Sequence, residues 1–264
     1  MTLLSAPIQR ICILVSLALA PLVVAEAETT ATGFLDKIVM VNDKPIRYAL
    51  YVPDEYDPAK KWPLIVFLHG SGERGDDNML QTDVGIGHAI RLHRDWFPAL
   101  VLMPQCPDDK FWDTAIPAID AAMAQTQTAY SVDDNAITLT GLSLGGYATW
   151  IWGATKTDTF AALMPICGGG NLLDLKAKFN IIDDKAFGTL DERVKKLTTI
   201  PIWAFHGADD DVVPPARSRD MVERVEKAGG KVRYKEFKKT GHNSWDQTYA
   251  YKRAMSWLLK QRKK

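Results

Sequence analysis

A serine framed by glycines, in Gly141-Leu142-Ser143-Leu144-Gly145-Gly146, is the group in this sequence best placed to do chemistry. Gly-x-Ser-x-Gly has a physical reason: a sharp strand-to-helix turn presents the hydroxyl, and side chains at the flanking positions would collide. The amide of Leu144 then falls at a helix N-terminus, where it can stabilise an oxyanion. A hydroxyl is a weak nucleophile until a base takes its proton, and the base needs an orienting carboxylate. Of the five histidines, His69 and His206 each end an apolar run and precede glycine, while His88 and His93 fall on a helix or loop. His242 lies in the short polar loop Thr240-Gly241-His242-Asn243-Ser244-Trp245. That is where the base falls when the order is serine, acid, histidine. The acid then belongs after the run Ile202 to Phe205, where Asp209, Asp210 and Asp211 stand side by side and spacing alone does not choose among them.

A second loop, His69-Gly70-Ser71-Gly72-Glu73-Arg74-Gly75, can turn another backbone N–H toward the serine. It also matches Gly-x-Gly-x-x-Gly, the dinucleotide-binding loop of an oxidoreductase. Glu73, Asp76 and Asp77 would set negative charge beside a pyrophosphate, and the next strand closes on Met103-Pro104-Gln105 without an acid for a ribose. The hydrolase reading is therefore preferred. No His-Glu-x-x-His, Cys-x-x-Cys or EF-hand spacing is present, so neither metal nor cofactor is expected. Gln105 and Trp112 are candidates for the substrate cleft, with Trp112 equally suited to covering the core. Trp245 is placed to anchor the histidine loop, and Glu73 and Arg74 to brace the glycine loop.

These groups need a frame that gathers them. Leu64 to Leu68 is apolar at every position, as in a strand buried on both faces, and Leu100 to Met103, Ile137 to Leu139, Ala162 to Ile166 and Ile202 to Phe205 are similar. Stretches with helical spacing lie between and after them: Ile116 to Tyr130, Tyr147 to Lys156, Arg217 to Ala228 and Trp245 to Leu259. Phe34 to Val41 and Ile46 to Val52, around Asn42-Asp43-Lys44, read as an opening hairpin. The expected fold is α/β, with a mostly parallel central sheet, helices on both faces and an N-terminal antiparallel hairpin. Its ligand crevice lies at the carboxyl ends of the strands.

The 32 Lys and Arg are balanced by 32 Asp and Glu, which leaves no excess positive charge for a phosphate backbone, so nucleic acid is not an expected partner. Arg10 precedes an uncharged run, Ile11 to Val24, shorter than a spanning helix needs and broken by Pro21. This reads as a secretory leader cut after Ala25 or Ala27, giving a signal peptide over 1–25, one catalytic domain over 26–264, a secreted or periplasmic location and no membrane attachment afterwards. Cys106 and Cys167 then meet an oxidising compartment, and the separation of their strands decides whether they bridge.

Taken together, the His69 to Gly75 loop, Pro104-Gln105-Cys106-Pro107, Gly141 to Gly146, Pro165-Ile166-Cys167-Gly168-Gly169, His206-Gly207 with its Asp run, and Gly241 to Trp245 resemble the α/β-hydrolase group of secreted carboxylesterases. That group is related to dienelactone hydrolases and feruloyl esterases and is often labelled predicted peptidase. The resemblance spans roughly the chain beyond the leader. It implies Ser143 as nucleophile, His242 as base and Asp210 as acid, and it matches the backbone N–H groups of Ser71 and Leu144 to the oxyanion positions. It further implies carbohydrate-linked or aromatic acyl esters as substrates. The loop from Pro165 to Thr199 is expected to form part of the pocket, and Phe179 and Phe187, scattered among Lys and Asp, suit a partly polar ester better than a triglyceride. A serine peptidase of the same fold and an inactive binding module are the competing readings. Enzymes of this fold that cut peptides commonly add a large gating domain, and the residues beyond the expected leader are little more than the minimal fold needs, so esters are expected over peptides.

Overall fold

The computed structural model describes residues 30–108, 110–176 and 187–263, and residues 31–264 group into one compact unit. The leader and Phe179 lie outside the described residues. Strands β1 (Gly33–Val41), β2 (Lys44–Val52), β3 (Trp62–Leu68), β4 (Leu100–Pro104), β5 (Val132–Leu142), β6 (Ala162–Ile166), β7 (Ile202–Gly207) and β8 (Val232–Phe237) form an eight-stranded sheet in the order β1-β2-β4-β3-β5-β6-β7-β8. β1 and β2 are antiparallel, β2 runs antiparallel to β4, and every pairing from β4 to β8 is parallel. Asn42 and Asp43, both at positive φ (50° and 60°), make the hairpin turn, the backbone hand that matches the twist of paired strands.

The continuous apolar runs are explained by what covers the sheet. Along β3, Leu64, Val66 and Leu68 pack into one core with Ile119 and Met123 of α2 (Trp112–Ala129), Trp150 and Ile151 of α3 (Leu144–Thr155) and Met221 and Val225 of α6 (Ala216–Lys227). Ile65 and Phe67 face a second core with Ile86 and Ile90 of α1 (Gly85–Leu92) and Met255 and Leu258 of α8 (Lys252–Leu259). Alternate residues of one strand thus serve opposite layers, and each fully buried aliphatic side chain contributes about 1.5–3 kcal/mol. Among the described residues no helix is long and apolar enough to cross a membrane.

Two expectations change, and the open question of the cysteines is decided. The helix expected over Trp245 to Leu259 is two, α7 (Trp245–Tyr249) and α8, because the chain turns at Ala250 and Tyr251, where Tyr251 leaves the helical region (ψ 89°). Tyr249 is buried there, its hydroxyl 2.9 Å from Thr140 Oγ. The stretch from Pro165 to Thr199 is not all loop: it contains α4 (Leu173–Lys176) and α5 (Leu190–Leu197). α5 opens on a reciprocal cap between Thr189 and Glu192, a Thr-x-x-Glu signal present in the sequence. Cys106 and Cys167 are free and buried. They follow β4 and β6, with β3 and β5 between them, so about 14 Å of sheet separates the strands, well beyond disulfide reach.

Candidate active site

Ser143 stands between β5 and α3 with φ 51° and ψ −113°, a conformation that L-residues avoid and that the surrounding packing must hold. The glycines beside it show how tightly the turn is wound. A Cβ at Gly145 would lie 1.9 Å from the Leu68 carbonyl oxygen, and one at Gly141 would lie 2.4 Å from that of Gly145. The Ser143 amide donates to the Ile166 carbonyl (2.9 Å) and faces Cys167 Sγ (3.3 Å). Cys167 is fully buried, which pushes its thiol pKa up and keeps it protonated.

The ends of β7 and β8 bring the partners. His242 Nε2 is 2.9 Å from Ser143 Oγ, and His242 Nδ1 is 2.7 Å from Asp210 Oδ2. The carboxylate can only accept, so Nδ1 carries the imidazole proton and Nε2 is left to accept the serine hydroxyl. Asp210 Oδ1 accepts the amides of Val212 (3.0 Å) and Val213 (2.9 Å), which fixes the carboxylate. The Asp210 side chain is 0% exposed, whereas Asp209 and Asp211 face solvent. The imidazole is braced edge-on by Trp245, with ring centroids 5.4 Å apart. Cys167, Asp210 and His242 bring ligand-type atoms within 4.8 Å of one another, but His242 and Asp210 are hydrogen-bonded to each other and the thiol is protonated.

The serine opens into a cavity of about 180 Å³. Ser71 and Leu144 line it: Ser71 begins the 3-10 turn Ser71–Glu73 and Leu144 begins α3, so each amide sits at a helical start where backbone donors have no helical acceptor. Leu175, Val212, Val213 and Pro214 supply an apolar wall; Tyr147 and the pair Asp174–Arg217, 2.8 Å apart, supply a polar one. Burial raises the Asp174 pKa, and Arg217 opposes that shift. This polar wall was not read from the sequence, although Arg217 stands in the first turn of α6, directly after the acid loop.

Gln105 and Trp112, expected at the cleft, lie elsewhere. Trp112 is 1% exposed, its indole N–H donates to the His69 carbonyl (3.2 Å), and its ring meets that of His69 edge-on. Gln105 Oε1 accepts the Asn78 amide (2.6 Å), and its Nε2 donates to the Glu73 carbonyl and Asp77 Oδ1 (both 3.0 Å). Both hold up the Ser71 loop from behind. Glu73 Oε2 accepts the Gly70 amide (2.9 Å) and Arg74 Nε donates to the Ser71 carbonyl (3.1 Å), so these two brace the loop through its backbone. His69 accepts the Cys106 amide on Nε2 (2.9 Å) and faces the Gly70 carbonyl with Nδ1 (2.6 Å), which fixes a neutral imidazole. Burial lowers its pKa to about 4.

The eight-stranded sheet, with a strained serine between β5 and α3 and a histidine after β8, defines the α/β-hydrolase class. The prolyl oligopeptidase family model matches residues 115–264, more than half of the sequence, and the chain belongs to that family. It is similar to a thermostable esterase of solved structure, with 34% identity and a TM-score of 0.73, over 87% of this chain and 63% of that one. It shares its fold with the feruloyl esterase module from Clostridium thermocellum, complexed with sinapinate (15% identity, TM-score 0.64, 88% of this chain and 89% of that one). Over 137 residues it is 26% identical to endo-1,4-beta-xylanase Y of Acetivibrio thermocellus, covering 45% of this chain and 12% of that protein. The chain thus spans less than two thirds of both the esterase and the xylanase.

Proposed function

We propose that this chain is a serine esterase acting through an acyl-enzyme. The observation that carries the reading is the unbroken hydrogen-bonded line from Asp210 through His242 to Ser143, opening into a cavity lined by Ser71 and Leu144. In the proposed reaction His242 Nε2 takes the Ser143 proton as Oγ attacks the ester carbonyl. The amides of Leu144 and Ser71 receive the developing oxyanion, and Asp210 steadies the imidazolium. His242 then returns the proton to the leaving alcohol, and a water molecule deacylates the serine by the same route.

A cavity with one apolar and one polar wall suits an acyl group with an apolar body and a polar end, such as a hydroxycinnamoyl group on a carbohydrate, and the esterase relatives support that class. The family match favours a second reading, peptide cleavage. An amine is a poorer leaving group than an alkoxide and a peptide needs an extended groove, whereas the described residues around Ser143 enclose a cavity of about 180 Å³. Labelling by a fluorophosphonate tests the nucleophile: the native chain should gain one adduct mass and Ser143→Ala none. A panel of p-nitrophenyl esters, methyl ferulate and unstructured peptides tests the class, and peptide turnover matching the best ester would overturn the esterase reading. We also propose export, for which mass spectrometry of secreted protein should find Glu26 or Glu28 at the N-terminus; an intact Met1 would refute it.

A further inference from the structure

A second histidine stands behind the acid. His206, the penultimate residue of β7, is 0% exposed. Its Nε2 is 2.9 Å from the Val213 carbonyl and 3.1 Å from Asp210 Oδ2, both of which can only accept, so Nε2 carries a proton. Its Nδ1 is 2.7 Å from Ser218 Oγ on α6, and that hydroxyl is also 2.7 Å from the Gly168 carbonyl, so its single proton is shared between the two acceptors. Asp210 Oδ2 is also the oxygen that takes the His242 Nδ1–H, while Oδ1 is filled by two amides. One carboxylate oxygen therefore lies between two imidazoles, an arrangement that ending a strand does not require.

We propose that His206 is a positioning residue that acts through Asp210: its Nε2–H holds Oδ2 toward His242 and takes up part of the carboxylate's charge, which makes His242 a weaker base. This rests on the proposed roles of Ser143, His242 and Asp210. An imidazolium at His242 is stabilised by the charge on Asp210, and each further donor to the carboxylate reduces that stabilisation. With His206 in place His242 keeps its free electron pair to lower pH, and turnover extends further into acid. The device needs His206 to stay neutral while His242 titrates. Burial does this by lowering the His206 pKa, against the upward pull of the Val213 carbonyl and of Asp210. The other ionisable groups nearby do not compete. Cys167 after β6 and Tyr147 of α3 are held protonated by burial, and Glu236 of β8 is paired with Arg219 of α6 at 2.7 Å.

The test is the pH profile of kcat/KM for a p-nitrophenyl ester, with thermal denaturation alongside. His206→Leu should move the acid limb up by about one pH unit. His206→Gln, whose amide can donate to the same oxygen, should keep the wild-type limb. Ser218→Ala disturbs the same buried network but leaves the Nε2 donor in place, so it should keep that limb while lowering Tm. A limb unmoved in His206→Leu, or moved as far in Ser218→Ala, overturns the proposal. If His206→Leu does not fold, ¹⁵N-histidine NMR of the wild-type protein decides: Nε2 of His206 should be protonated and its shift should follow the titration of His242, and a bare Nε2 overturns the proposal. Ser143→Ala separates the two levels of inference. Turnover surviving in that variant would sink the proposed roles themselves, whereas its loss together with an unmoved limb in His206→Leu would sink only the role of His206.

Discussion

Three adjacent aspartates differ in this protein by what their backbone lets them reach. Asp210 turns inward, takes two amides on one oxygen and the His242 imidazole on the other, and has no exposed side-chain surface. Asp209 and Asp211 face water. Asp210→Asn should therefore lower kcat/KM by about 10⁴, since an amide in that place favours the wrong tautomer of His242. Asp209→Asn and Asp211→Asn should each cost less than tenfold in the same steady-state assay, and equal losses at all three would contradict the assignment. The meeting of Ser143 and His242 was legible because their residue types, glycine neighbours and order along the chain carry a mechanical meaning. The choice of Asp210 needed the resemblance, since burial is what distinguishes it and burial is not written in three identical letters. His206 was not legible at all. It shares with His69 the context of an apolar run before and a glycine after, and only the three-dimensional structure shows one behind the acid and the other behind the Ser71 loop.

At the scale of elements, the serine turn is shaped by what its glycines leave out. The backbone of α3 comes so close to the end of β3 that a methyl group at Gly145 would overlap the Leu68 carbonyl, a rigid obstacle. Gly145→Ala should thus either fail to yield folded protein or lower Tm by several degrees, as strained core substitutions of about 2 kcal/mol do. Gly72→Ala, where an added Cβ meets nothing within 4 Å, should leave Tm within a degree or two, and circular dichroism melts of both would check the contrast. Strands were the elements most plainly written, because burial on both faces demands unbroken apolar runs. β5 is longer than its apolar run because Asp133 to Asn135, just after its first residue, lie at the rim, where polar side chains reach water. The break between α7 and α8 was hidden because apolar spacing continues across it, and α5 was hidden because charged residues outnumber its apolar ones.

For the molecule as a whole, a pH dependence of stability below neutrality comes from a group away from the proposed chemistry. His69 is held neutral, with its pKa lowered from 6.5 to about 4. Above pH 6.5 it is uncharged in both folded and unfolded chains and costs nothing. As pH falls from 6.5 toward 4 the unfolded chain takes up the proton and the folded one does not, so up to about 3 kcal/mol of stability is lost over that window. His69→Gln, whose amide can serve the same two backbone partners without titrating, should flatten the fall of the urea midpoint between pH 6.5 and 4; an unchanged slope would show that other groups govern acid unfolding. The line from Asp210 to Ser143 also says something about time. His242 is 99 residues from Ser143 along the chain and 32 from Asp210, and the three meet only once β5, β7 and the loop after β8 lie side by side in a parallel sheet, whose long-range pairings form slowly. A nascent or partly folded chain therefore carries an idle serine. Reactivity arrives with the closing steps of folding, so the proposed hydrolysis is confined to wherever folding is completed.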